Sequence, residues 1–229
     1  MLKVRKVYIM LLIIGCCLIL IEVFALRYFK EPLQKEQPII QQPPIKEIKI
    51  PESAIIHYPS EYNFAQSYND CAPYNSAAVV RALTGENVSS AEFVKTITHR
   101  IEYNWTLPEG ITGQLNEYNI TLETPDLSGL SDDEKIEYLR EQLSKNHPII
   151  LLIKKEDFQH YITLFGFDSE KDEFFIYDSL MERLEGGLTK DENGDLPGNK
   201  TITAVKLLDA WSGGELEGKY HWLAIVCSN

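Results

Sequence analysis

Cysteine is scarce in this chain. Four of 229 residues are cysteine, and two of them, Cys16 and Cys17, sit inside an apolar N-terminal run. The other two, Cys71 and Cys227, are too few for a disulfide-stapled scaffold, and no C-x-x-C spacing points to zinc or a redox pair. Positive charge is short as well. The net charge is −12, and the first 30 residues carry five bases (Lys3, Arg5, Lys6, Arg27, Lys30) and one acid, Glu22. Residues 31–229 are left with 17 basic against 33 acidic residues, a net of −16. Such a surface repels phosphate backbones, which removes nucleic acid from the partners considered. No G-x-x-x-x-G-K-[ST] segment is present, so a P-loop nucleotide site is excluded, and no internal repeat is visible.

What is present is the balance of a globular protein, with 44% hydrophobic and 24% charged residues in a length suited to one domain plus appendages. Residues 7–26 are apolar apart from Glu22 and long enough, at about 1.5 Å per residue, to cross the roughly 30 Å bilayer core. They read as a membrane helix. Lys3, Arg5 and Lys6 precede it, which places the N-terminus in the cytoplasm and the rest outside. A cleaved signal peptide or lipoprotein processing at Cys16 are the alternatives; the run is long for the first and stays apolar after Cys16, against the second. Residues 31–51 hold five prolines and four glutamines without apolar periodicity, and read as a semi-extended stalk reaching up to about 65 Å as polyproline II. The expected organisation is an anchor over 1–30, a stalk over 31–51 and a domain over 52–229.

Within that domain, residues 54–58 suggest a short strand. Residues 71–83 read as a helix, with Asp70 as its cap, Pro73 in its first turn and Gly85 just past its end. Ser89-x-x-Glu92 and Ser131-x-x-Glu134 are capping boxes opening helices over 90–101 and 132–145. Strand signals dominate later: 148–154, then 160–167 and 173–179 as a hairpin turning at 168–172, and 220–227 at the end; 201–211 suits either a helix or a strand. Helices first and strands later is an α+β order.

The helix reading places Cys71 at a helix N-terminus, where the backbone dipole favours a thiolate. A nucleophilic thiol also needs a base, and such a partner lies elsewhere in the chain. Of five histidines, His160 opens a strand whose hairpin partner returns Asp178 beside it, so that a carboxylate can fix the imidazole tautomer and support its charge. His221, expected on the last strand beside Trp222, is the rival. Gln66, five residues before Cys71, is placed to donate from its side chain, together with the Cys71 backbone N–H, to the oxyanion of a tetrahedral intermediate.

The segment Gln66-Ser67-Tyr68-Asn69-Asp70-Cys71-Ala72-Pro73 before an Ala-rich helix, then His160 before Gly166-Phe167-Asp168, then Ile176-Tyr177-Asp178, resembles the papain-fold cysteine peptidases related to bacteriocin leader-processing enzymes. The resemblance covers about residues 54–227. It implies a papain-like α+β fold, with N-terminal helices on an antiparallel sheet, and the roles of oxyanion donor, nucleophile, base and orienting acid for Gln66, Cys71, His160 and Asp178. It implies a peptide or protein substrate and no cofactor. Two positions depart from the family pattern: Ala72 where glycine is usual, and Ser179 where proline commonly follows the aspartate.

The function expected is thiol-dependent hydrolysis of peptide bonds by a domain held outside the membrane. Transglutaminase-like or cell-wall amidohydrolase acyl transfer uses the same residues on another acceptor, and a silent binding module would keep the fold without the chemistry. Disulfide pairing of Cys71 with Cys227 would defeat the enzyme readings.

Overall fold

In the computed structural model, residues 49–229 are described. The membrane helix expected over 7–26 and all but the last three residues of the expected stalk lie outside the described residues. Among the described residues no helix is long and apolar enough to cross a membrane.

Seven strands among the described residues form one antiparallel sheet: β1 (Ser53–Ile55), β2 (Thr121–Glu123), β3 (Ile149–Lys155), β4 (Phe158–Asp168), β5 (Glu173–Tyr177), β6 (Lys200–Thr203) and β7 (Ala224–Ser228). Their order is β2-β7-β3-β4-β5-β6, and β1 pairs with the far end of β4. The helices are α1 (Cys71–Thr84), α2 (Ser90–Thr96), α3 (Pro108–Glu117), α4 (Asp132–Ser144) and α5 (Ala204–Ser212).

Alternation along β3 and β4 makes the central strands apolar on both sides, so the sheet needs cover on both. Ile149, Leu151, Ile153, Ile162 and Leu164 pack with Ile136, Leu139 and Leu143 of α4 and with Leu207 and Trp211 of α5. Ile150, Leu152, Tyr161, Ile225 and Cys227 pack with Ala77, Val79 and Val80 of α1, Phe93 of α2, and Ile111 and Leu115 of α3. The N-terminal helices therefore lie on the antiparallel sheet as expected, while α4 and α5 cover its other face.

Several boundaries differ from expectation for local reasons. α1 matches, and it ends where Gly85 turns left-handed (φ 73) and donates its N–H to the Arg81 carbonyl. The Ser131 capping box forms, but Ser89 makes no side-chain cap; α2 stops at Thr96, with Ile97 extended. The ambiguous stretch 201–211 is both things in turn, β6 and then α5. The last strand begins only at Ala224, because Tyr220 and Trp222 take positive φ (63 and 56) in the preceding loop. α3 and β2 were not expected. α3 carries Gly110 and Gly113, which weaken its helical signal, and Gly110 is needed where a side chain would collide with the Thr98 carbonyl.

Candidate active site

Cys71 is the first residue of α1 and is partly exposed in a cleft walled by Trp105, Thr106, Leu152, Tyr161 and Leu216, while Asn69 and Gln159 supply polar edges. Asp70 does not cap the helix with its side chain. Its carboxylate accepts instead from Arg100 Nη2 at 3.0 Å and Asn104 Nδ2 at 3.1 Å. Those bonds tie the 99–107 loop, in which His99, Tyr103 and Asn104 have positive φ, to the residue before Cys71. The loop carries Trp105 and Thr106 into the cleft wall.

A side chain that no sequence motif marks fixes Cys71 relative to the sheet. Asn75, wholly buried one turn into α1, donates to the carbonyls of Cys71 (2.8 Å) and Tyr161 (2.9 Å), and accepts from the Thr163 hydroxyl at 2.6 Å. It joins the first turn of α1 to the strand that bears His160.

His160 is 1% exposed and sits in β4 opposite Ile153 of β3. The β4–β5 hairpin pairs Thr163 with Tyr177, and Asp178 follows directly, so the 18-residue separation closes to 2.8 Å between His160 Nε2 and Asp178 Oδ1. With Nε2 engaged, Nδ1 is the ring nitrogen left for the sulfur. Burial opposes the imidazolium, yet the Asp178 hydrogen bond, the neighbouring Cys71 and the Asp178 charge outweigh it, and the His160 pKa is pushed up to about 9. Burial likewise opposes charge on Asp178, but the hydrogen bond and charge of His160, with Lys155 beyond, hold its carboxyl far below the usual range. Lys155 Nζ meets the second oxygen, Oδ2, at 2.6 Å. The Asp178 main chain is clamped by Asn199, which accepts from its N–H at 2.8 Å and donates to its carbonyl at 2.9 Å. No sequence motif flags Asn199 or Lys155; both contacts are long-range and appear only once the strands are in register.

Gln66 sits on the loop before α1, and the segment after Asp178 holds it. Its N–H donates to the Ser179 carbonyl at 2.8 Å, and the Ser179 hydroxyl donates to its Oε1 at 2.7 Å. Arg183 Nη2 donates to the Ala65 and Gln66 carbonyls at 2.7 and 3.0 Å. With Oε1 occupied, the amide NH2 is the end left to donate. Ser179, one of the two departures from the family pattern, thus contacts the expected oxyanion donor directly.

The rival histidine is elsewhere. His221 lies on the exposed loop before β7, not within the strand, and faces Glu215 at 3.4 Å. Cys71 and Cys227 are both free thiols; no disulfide joins them.

An antiparallel sheet with a cysteine at a helix N-terminus beside a buried His–Asp pair defines the class of papain-like cysteine peptidases. A model described as the Peptidase_C39 like family matches residues 53–194, and the chain belongs to that family. It is a cysteine peptidase. Among solved structures it is similar to the peptidase domain of Streptococcus ComA, a bi-functional ABC transporter involved in quorum sensing, at 19% identity and a TM-score of 0.44, covering 73% of this chain and 98% of that one. A second similar structure is the peptidase domain of Streptococcus mutans ComA with a small-molecule inhibitor, at 16% identity and a TM-score of 0.40, covering 72% and 98%. No curated protein matches the sequence.

Proposed function

We propose that the chain hydrolyses peptide bonds through Cys71, His160 and Asp178, with Gln66 as oxyanion donor, and that it does so as a membrane-anchored enzyme whose domain lies outside the cytoplasm. The observation that carries the catalytic reading is the buried 2.8 Å contact between His160 Nε2 and Asp178 Oδ1, with Cys71 beside the same imidazole. His160 Nδ1 takes the thiol proton, and the sulfur attacks the carbonyl carbon of a peptide or protein substrate. The Gln66 NH2 and the Cys71 N–H stabilise the oxyanion. As the tetrahedral intermediate collapses, the imidazolium returns the proton to the leaving amine. Water, deprotonated by His160, then hydrolyses the thioester and restores the thiol.

The apolar run over 7–26 and the bases before it support the anchored, outward-facing arrangement, and the proline-rich 31–51 segment would hold the domain off the lipid surface. Incubation with a diverse peptide library tests the chemistry: cleavage by the wild-type chain, none by Cys71→Ala and little by His160→Gln are expected. Library cleavage that survives in Cys71→Ala would overturn it. Location is tested by fractionation and protease shaving of intact cells, where loss of the domain to external protease is expected and its full protection would refute the orientation.

A further inference from the structure

Asp178 has more partners than a carboxylate needs to orient one histidine. Oδ1 accepts from His160 Nε2 at 2.8 Å and from the Leu180 N–H at 2.9 Å, and Oδ2 is left for Lys155 at 2.6 Å. The Asp178 side chain is 4% exposed and that of Lys155 24%, so the lysine reaches in from the edge of the site and is not a surface partner. Its position is fixed by topology. Lys155 ends β3 and pairs with Phe158 across a two-residue turn whose first residue, Glu156, has a φ of 56, while His160 follows on β4 opposite Ile153. One hairpin therefore presents both cations to one carboxylate arriving from β5.

We propose that Lys155 is a positioning residue of the catalytic site: by holding Oδ2 and sharing the charge of Asp178, it fixes the carboxylate against His160 and limits how strongly that carboxylate holds the imidazolium. The groups acting on His160 are Asp178, after β5, and Cys71, from α1; those acting on Asp178 are His160 and Lys155. As thiolate, imidazolium, carboxylate and ammonium, the four groups sum to zero charge. Without Lys155 the buried string carries a net negative charge, which binds the His160 proton more tightly and delays its release as pH rises. A base that returns its proton too reluctantly is a poorer acid toward the leaving amine, so the lysine tunes the proton exchange that the mechanism requires.

This inference rests on reading His160 as the base of Cys71, and the two are separable. In the full chain, with 13C-labelled histidine, the His160 ring resonance is assigned by its loss in His160→Gln and titrated by NMR. Lys155→Met is expected to raise the midpoint by about one pH unit: a charge a few ångströms away is worth about three units at an effective dielectric of about 20, and solvent around the 24% exposed lysine screens that down. Lys155→Arg should restore the wild-type midpoint, and in an Asp178→Asn background Lys155→Met should shift it by clearly less, since only the direct effect of the lysine charge is left there. If Lys155→Met does not fold, Lys155→Gln carries the same expectation, since it keeps a donor and loses the charge. An unchanged midpoint in the neutral variants, or the same rise in Lys155→Arg, overturns the proposal. Alkylation of Cys71 as fast in His160→Gln as in wild type would instead overturn the base reading, whatever the lysine variants do.

Discussion

Cys71 and Cys227 place the same side chain in two contrasting regions of one domain. Cys71 opens a helix at the edge of a cleft, with a buried imidazole for a neighbour and Asn75 fixing its main chain to β4. Cys227 lies in β7, wholly buried, where its thiol meets the Ile225 carbonyl at 3.5 Å, and burial alone pushes that thiol far above the ordinary range. The residue type is constant and the surroundings are not. What makes a thiol a nucleophile is a nearby base and a cleft that admits substrate, and a thiol with neither packs as a small apolar group.

The contrast breaks most severely where the proposed base loses its partner. Asp178→Asn leaves His160 with a neutral partner, and turnover should fall on the order of 100-fold or more with the fold intact by circular dichroism. Asn199 still clamps the main chain of residue 178. Unchanged turnover would take Asp178 out of the site. Asn75→Ala acts on the link between the Cys71 helix and the His160 strand. It strands the Thr163 hydroxyl, so a loss of about 2–3 kcal/mol in denaturant unfolding is expected, with reduced turnover in whatever remains folded.

Protonation sharpens the comparison without any change at the cysteines. His160 binds its proton more tightly when folded, its pKa rising from 6.5 to about 9, so its stabilisation is full below about pH 6.5 and is lost as pH climbs toward 9. Asp178 shifts the opposite way, and its contribution is present above its ordinary value of 3.8 and fades only in stronger acid. The melting temperature should therefore hold between about pH 4 and 6.5 and decline from 6.5 to 9. His160→Gln should flatten that alkaline decline, and a variant with the full wild-type slope would contradict the assignment.

The smallest effect is expected on the other side of the comparison. Cys227→Ala removes one buried sulfur and should cost about 1 kcal/mol through a small cavity, with turnover unchanged. A large loss of turnover there would mean that β7 shapes the site more directly than its place on the sheet suggests.

Much of the site was legible in the sequence because its signals are local. Asp70, Pro73 and Gly85 bracket α1, and the apolar strands either side of the turn at 168–172 give the His160–Asp178 spacing by hairpin arithmetic alone. What stayed hidden depends on residues far apart in the chain. Asn75 bonds across 86 residues to Tyr161, and Ser179 across 113 to Gln66. Asp70 before a helix signals a cap, a common use of aspartate there, but Arg100 and Asn104, 30 and 34 residues on, draw its carboxylate away. His221 looked like a strand residue because the positive φ values of Tyr220 and Trp222 carry no strong sequence signal. α3 escaped because two glycines dilute its helical pattern.

The most direct test of the central claim is the relative reactivity of the two thiols. The native, non-reduced full chain is treated with limiting iodoacetamide near pH 6, and the alkylated cysteines are mapped by mass spectrometry. Rapid modification of Cys71 is expected, with a largely unmodified Cys227 and a marked slowing at Cys71 in His160→Gln. Equal inertness of both thiols, or a Cys71 whose rate ignores the loss of His160, would contradict the claim.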